Sequence, residues 1–254
     1  MKGFTVSLAA ALCLLLSLSW SMGVAAGESK GTVLITGANR GLGLEFARQF
    51  SSAGYTVIGT AREPHEATDL YALKVRVEQL DVANPASVQD LAGRLEGVPI
   101  DILINNAGIM GADAPTFMSL DVDSLDQTLQ VNTLGAMRVT QALYDNLKLG
   151  KAKKIIQITS ELGSISLNTR GGLYGYRISK AALNMFNKTL ADELGSKGFT
   201  CVVLHPGWVQ TDMGGSNAPL TPEESIRGLI KVIEGLKHAD NGRFLDYTGR
   251  EKPW

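Results

Sequence analysis

From residue 30 onward the chain alternates short apolar runs with longer stretches whose apolar residues recur every third or fourth position. The short runs fall at residues 32–36, 56–59, 74–80, 100–104, 154–159, 200–204 and 244–247, and several of them, Cys201 to Leu204 for example, have no polar face. Strands that are apolar on both sides belong in a parallel sheet covered by helices above and below. The stretches between them predict those helices. Asn84-Pro85 supplies a cap and a first-turn proline, and Thr221-Pro222-Glu223-Glu224 has the form of a capping box. A helix starting near Tyr176 carries Leu183, Phe186, Leu190 and Leu194 on one face. Repeated strand–helix alternation without an internal repeat or linker predicts one α/β domain over residues 27–254, a doubly wound sheet of about seven parallel strands.

Residues 1–26 break the pattern. Lys2 is followed by an apolar core, Leu8 to Leu18, and then by Val24-Ala25-Ala26, small residues that suit signal peptidase cleavage after Ala26. Cleavage would send the mature protein into the secretory pathway or out of the cell. No charged residue occurs from Gly3 to Gly27, so an uncut segment 4–26 is long enough to anchor the chain in a membrane. The serine, glycine and alanine content of its second half favours cleavage. The rest of the composition narrows the function class: 24 basic against 25 acidic residues, with no basic run, gives no reason to expect a nucleic-acid partner. Two cysteines offer no disulfide framework, and three scattered histidines have no metal-ligand spacing. Small-molecule chemistry fits best.

Thr36-Gly37-Ala38-Asn39-Arg40-Gly41-Leu42-Gly43 follows the first predicted strand directly and opens a helix. A phosphate bound at a helix N-terminus needs a tight turn and close backbone approach, which glycines permit. In that context the loop marks a Rossmann-type dinucleotide site, although its glycine spacing, G-x-x-x-G-x-G, departs from the usual fingerprint.

Three further motifs stand in order along the chain: Asn105-Asn106-Ala107-Gly108 and His205-Pro206-Gly207 at predicted strand ends, and between them Tyr176-Arg177-Ile178-Ser179-Lys180 opening a predicted helix. With the glycine loop they give the chain, from about Gly31 to Trp254, a resemblance to the short-chain dehydrogenase/reductase family. The resemblance implies a nicotinamide cofactor held by Gly37, Asn39, Arg40, Gly41, Leu42 and Gly43. It also brings to that cofactor Arg62, Asp81, Val82, Asn106, Ala107, Gly108, Pro206, Gly207, Val209 and Thr211, together with Tyr176 and Lys180. Asp81 has a second reading as a strand-end cap. Ala61 stands where NAD-specific members carry an acid, and Arg62 and Arg40 offer two guanidinium groups to the extra phosphate of NADP. Glu63 and a solvated Arg62 argue the other way; the balance predicts NADP.

Reduction of a carbonyl needs an acid, and a free tyrosine, with a pKa of about 10, holds its proton tightly. Tyr176 and Lys180, four apart on a predicted helix, share one face, where an ammonium would favour the tyrosinate. The resemblance implies Tyr176 as acid/base, Lys180 as ribose ligand, Ser160 polarising the carbonyl and Asn132 as a fourth member of a proton relay. Ser160 lies sixteen residues before Tyr176, farther than is usual in the family, which implies a few extra residues within 167–172. Thr159, Ser164 and Ser166 compete with Ser160 for the role. Asn132 also has a structural reading, as a helix-interior side chain bonded to nearby backbone.

The loop from Gly207 to Gly215, the segment Gly172 to Tyr176 and the ending 246–254 resemble the branch holding sniffer-type carbonyl reductases and C-factor-like proteins. The expected activity is reduction of ketones, aldehydes or quinones. Trp208 fits stacking on a planar substrate or simple packing. The competing expectation is an exported C-factor-like nucleotide-binding signalling protein, which explains the leader better and the intact catalytic residues worse. A lyase or epimerase on the same fold is a third reading. A homodimer through the Tyr176 helix is the oligomer that the family would suggest.

Overall fold

The computed structural model describes residue 1, residues 29–112 and residues 116–254, so the expected leader lies, apart from Met1, outside the described residues. Seven strands form one sheet: β1 (Thr32–Ile35), β2 (Thr56–Ala61), β3 (Arg76–Gln79), β4 (Ile102–Asn105), β5 (Lys154–Ile158), β6 (Thr200–His205) and β7 (Phe244–Asp246). Their order is β3-β2-β1-β4-β5-β6-β7, with every pairing parallel. All seven predicted strands exist, with shifted ends. β3 begins late because Lys74 takes a left-handed turn with φ 57°. Ile100 instead bonds Asn146 O ahead of β4, and Thr159 and Ser160 come just past the last residue of β5.

Side chains alternate across the sheet as parallel strands require. On one face Val33, Ile35, Ile104 and Val202 pack under α1 (Gly41–Ser52), the short α2 (Thr68–Ala72) and α8 (Pro222–Gly235), through Phe46, Phe50, Leu70, Ile226, Leu229 and Ile233. On the other, Leu34, Leu103, Ile155 and Cys201 meet α3 (Pro85–Arg94), α5 (Ala136–Ala142), the short α6 (Tyr144–Leu149) and α7 (Tyr174–Leu194). The local signals act as expected: Asn84 Oδ1 accepts from Ala86 N and Ser87 N, and Thr221 and Glu224 cap α8 reciprocally. Among the described residues no helix is long and apolar enough to cross a membrane.

The chain builds β1, β2 and β3 outward in one direction, then crosses to β4 and continues the other way. The reversal opens a crevice at the carboxyl ends of β1 and β4, where doubly wound sheets bind ligands. The opposite end of the same two strands is closed by Asp101, whose carboxylate accepts from Thr32 N at 2.8 Å, Lys151 N at 2.7 Å and Ala152 N at 3.1 Å. Replacing Asp101 with Ala leaves three backbone donors short of an acceptor. The urea midpoint is expected to fall by the equivalent of about 2 kcal/mol; an unchanged midpoint would show that water satisfies them at no cost.

Candidate active site

The first two motifs meet through one side chain. Thr36 Oγ1, at the end of β1, accepts from Asn106 N and Ala107 N at 3.0 Å each, and Asn106 Nδ2 donates back to Thr36 O at 2.9 Å and Gly37 O at 3.1 Å. The clasp draws the glycine loop so close to the β4 loop that a Cβ on Gly43 would lie 2.1 Å from Gly37 O and 2.6 Å from Asn106 Nδ2. Gly37 and Gly41 take positive φ, which turns the backbone before α1 begins. The result is a glycine-lined floor at a helix N-terminus, with free N–H groups for a phosphate.

Around this floor, Asn39 is half-buried, Leu42 packs on the core, and Gly108 lies beyond the clasp. Val82 is buried against Gly135. Asp81 accepts from Ala83 N at 2.9 Å and so has the strand-end cap geometry that its second reading describes. Arg62 stands exposed just past β2. Arg40 pairs with Asp212 at 3.5 Å, both side chains well exposed, so its guanidinium bridges the glycine loop to the loop after β6. That second loop is self-contained. Val209 bridges to Leu220, Thr211 Oγ1 accepts from Gly214 N, Gly207 packs on Leu220 and Tyr247, and Pro206 O accepts from Ser225. Thr211 also borders Gly41.

Tyr176 and Lys180 sit on the buried face of α7, with the lysine Nζ 5.7 Å from the tyrosine ring centre. Lys180 Nζ donates to Ile158 O at 2.8 Å, which fixes it against the end of β5. Ser160 lies beside Tyr176, and its Oγ accepts from Leu162 N at 3.1 Å to start a single 3-10 turn, Glu161–Gly163. Of its competitors, Thr159 donates to Asn184 Oδ1 at 2.6 Å, Ser164 caps Leu167 N, and Ser166 is exposed. The expected insertion coincides with an exposed loop, residues 165–171. Asn132 occupies a π-helical turn, Gln130–Gly135, between α4 (Val122–Leu129) and α5. Its Oδ1 accepts from Ile109 N and its Nδ2 donates to Ile109 O, both at 2.8 Å. A methyl on Gly108 would touch Asn132 Oδ1 at 3.3 Å and Lys180 Nζ at 3.6 Å. All four expected catalytic residues therefore converge on one end of the sheet.

Several residues that hold this group together were absent from the sequence prediction. Ser179 accepts from Asn132 Nδ2 at 3.0 Å and donates to Tyr176 O at 2.8 Å, which ties the π-turn to α7. Asn184 binds Thr159 and Gly163 O. Gly163 is pressed so close that a Cβ would meet the Lys180 backbone at 2.8 Å. Their common signal is a polar stripe on the helix face expected to be apolar: Tyr176, Ser179, Lys180, Asn184 and Asn187 are all buried.

A dinucleotide-type crevice beside a tyrosine, a serine and a lysine defines the class as oxidoreductases working on a doubly wound sheet. The short chain dehydrogenase family model matches residues 31–220, and the chain belongs to that family. It is 46% identical to the C-signal protein of Myxococcus xanthus over 61% of this chain and 93% of that protein. Its structure resembles the NADPH-bound carbonyl reductase from chicken fatty liver, with 34% identity, a TM-score of 0.82 and coverage of 89% of this chain and 100% of that one. It equally resembles the carbonyl reductase Sniffer of D. melanogaster, at 34% identity and a TM-score of 0.83, over 89% and 100% of the two chains. The predicted family, branch and fold agree with these likenesses.

Electrostatics correct one expectation. Lys180 was expected to lower the tyrosine pKa; instead burial pushes Tyr176 up to about 12, and only the Ser160 hydrogen bond acts to lower it. Burial also brings Lys180 down to about 8, so it gives up its proton more readily than a free lysine. Between pH 8 and 10.5 the unfolded chain keeps a lysine proton that the folded protein has released, so stability rises with pH there and this contribution is lost as pH falls through 8. Tyr176 acts in the opposite sense, lowering stability from pH 10 to 12. Thermal unfolding without nucleotide should show the advantage of the native chain over Lys180→Met growing across the first window. A constant gap would contradict the burial of the charge.

Proposed function

We propose that this chain is an NADPH-dependent carbonyl reductase in which Tyr176 protonates the carbonyl oxygen. The observation that carries the reading is the convergence of Tyr176, Ser160 and Lys180 at the carboxyl end of β5, next to the glycine-lined crevice. NADPH held by the glycine loop and Lys180 would supply the hydride for the carbonyl carbon, being oxidised to NADP⁺. Ser160 then donates to the carbonyl oxygen and favours the negative charge that develops there. Tyr176 delivers its proton to the same oxygen, giving the alcohol. The proton is replaced from Lys180, whose pKa burial brings down to about 8. Asn132 fixes the backbone of Ile109, the residue after Gly108, and Gly108 borders both Asn132 and that lysine, so the fourth member of the relay is held close to it. Burial holds the Tyr176 proton more tightly than in a free tyrosine, and the transfer proceeds because the alkoxide that forms on the substrate is a stronger base still.

The residues present fit the extra phosphate of NADP. Ala61 puts no acid at the end of β2, Arg62 is exposed there, and the weak, solvated Arg40–Asp212 pair can yield to a phosphate. NADPH is bound in the chicken relative. Asp81, Val82 and Ala107 would flank the adenine and ribose sides, and Lys180 would take the nicotinamide ribose.

A second reading, an exported nucleotide-binding signalling protein, is supported by the likeness to C-signal and by the leader-like composition of residues 1–26. Oxidation of NADPH, followed by its absorbance in the presence of aldehydes, ketones and quinones, separates the two. The enzyme reading expects turnover, with kcat/KM for NADPH at least about tenfold above that for NADH, the size of one lost charge-assisted contact. Tight NADPH binding without turnover of any carbonyl would favour signalling.

A further inference from the structure

Past Ser160, the carboxyl ends of β6 and β7 open a cavity of about 280 Å³ whose lining includes Glu161, His205, Trp208, Leu220, Arg250 and Lys252. It adjoins the catalytic group through the chain itself, because Glu161 follows Ser160 and His205 precedes the Pro206-Gly207 turn. Trp208 forms a fixed wall: its Nε1 donates to Gly214 O at 2.7 Å while the indole remains 57% exposed. Arg250 and Lys252, which also line the cavity, belong to a C-terminal segment that is itself tied down. Lys252 N donates to Phe244 O, Ser166 N to Trp254 O, and the Trp254 ring lies 5.4 Å from that of Phe244.

The charges at this cavity are unevenly spent. Asp246 is 3% exposed and turned inward, its carboxylate taken by Thr248 N and Oγ1, by Arg250 N and by one edge of the Arg250 guanidinium. The rest of that guanidinium remains open, on a side chain 77% exposed. Lys252 Nζ gives one of its three hydrogens to Glu161, at 2.9 Å. His205, 3.9 Å from the same carboxylate, is held neutral by burial, its pKa pushed down to about 4. Each cation is thus paired with one carboxylate, Lys252 with Glu161 and Arg250 with Asp246, and each keeps donor hydrogens beyond that pair.

We propose that this cavity receives the far end of the carbonyl substrate and that Lys252 and Arg250 select a carboxylate there. The inference rests on the carbonyl reduction proposed above and names its substrate class: a carbonyl compound with a planar or apolar middle, laid along Trp208 and Leu220, and an acidic tail. A carboxylate bridging the ammonium and the guanidinium would gain charge-assisted bonds from groups that are already positioned. Glu161 acts against this selection by holding Lys252, so it sets how strong the preference is.

Two pairs of probes test it: 4-formylbenzoate and 4-formylcinnamate, each beside its methyl ester, with NADPH as reductant. In at least one pair, kcat/KM for the acid should exceed that for the ester by about tenfold, carried mainly by KM. Lys252→Gln and Arg250→Gln should each move that ratio toward one, whereas Glu161→Gln, which frees the ammonium, should raise it. Esters reduced as well as acids in both pairs, or a ratio that none of the three substitutions moves, would overturn the subsite while leaving carbonyl reduction standing. No reduction of any of the four compounds while other aldehydes, ketones or quinones are turned over would overturn the subsite alone, and no turnover of any carbonyl would overturn the enzyme reading and the subsite with it.

Discussion

The Thr36 hydroxyl binds the end of β1 to the loop after β4, and the active end of this molecule is organised around that contact. Because the sheet reverses direction between these two strands, their carboxyl ends would otherwise diverge into solvent. With Asn106 reaching back to Thr36 O and Gly37 O, the gap is spanned by four hydrogen bonds among groups that are largely withdrawn from water. Such groups would be costly to leave unpaired. The same contact explains why Gly43 has no room for a side chain. It also fixes where Gly108 lies, and therefore where Asn132 and Lys180 meet.

A second constraint follows from burying polar groups along α7. Lys180 and Tyr176 are withdrawn from water and pushed in opposite directions, the acid toward holding its proton and the base toward losing it. Pairs of titratable groups driven apart by their surroundings are typical of functional sites. The desolvation cost is offset by a local network in which Ser179 ties Asn132 to Tyr176 O, Asn184 ties Thr159 to Gly163 O, and Ile158 O accepts from Lys180. The π-turn at Asn132 belongs to the same network, since it lets both edges of that amide face Ile109. Wide helical turns of this kind recur at functional sites.

The sheet was legible because its strands are apolar on both faces and its glycine loop follows one of them directly. Strand ends were less so, since Lys74 and Ile100 have strand-like neighbours and only the turn geometry removes them. Tyr176, Lys180 and the glycine loop could be found because four motifs stand in order along the alternating strands and helices, each of them weak alone. Thr36 stood inside the quoted glycine motif, but its clasp to Asn106 joins residues seventy apart and leaves no periodic trace. Ser179 and Asn184 were hidden by the assumption that a buried helix face is apolar. The direction of the Tyr176 shift was misread for a related reason: sequence spacing brings the lysine near, but burial, which only the packed structure reveals, dominates both groups.

Carbonyl reduction as proposed for this protein depends above all on Tyr176 as the proton donor. The most direct test is single-turnover carbonyl reduction by Tyr176→Phe with bound NADPH, where retained binding is checked by the fluorescence of the nicotinamide. The phenyl ring fills the same buried space and removes only the hydroxyl. Undiminished NADPH binding with turnover reduced by a factor of about a thousand or more is the predicted result; near-native reduction by that variant would contradict it.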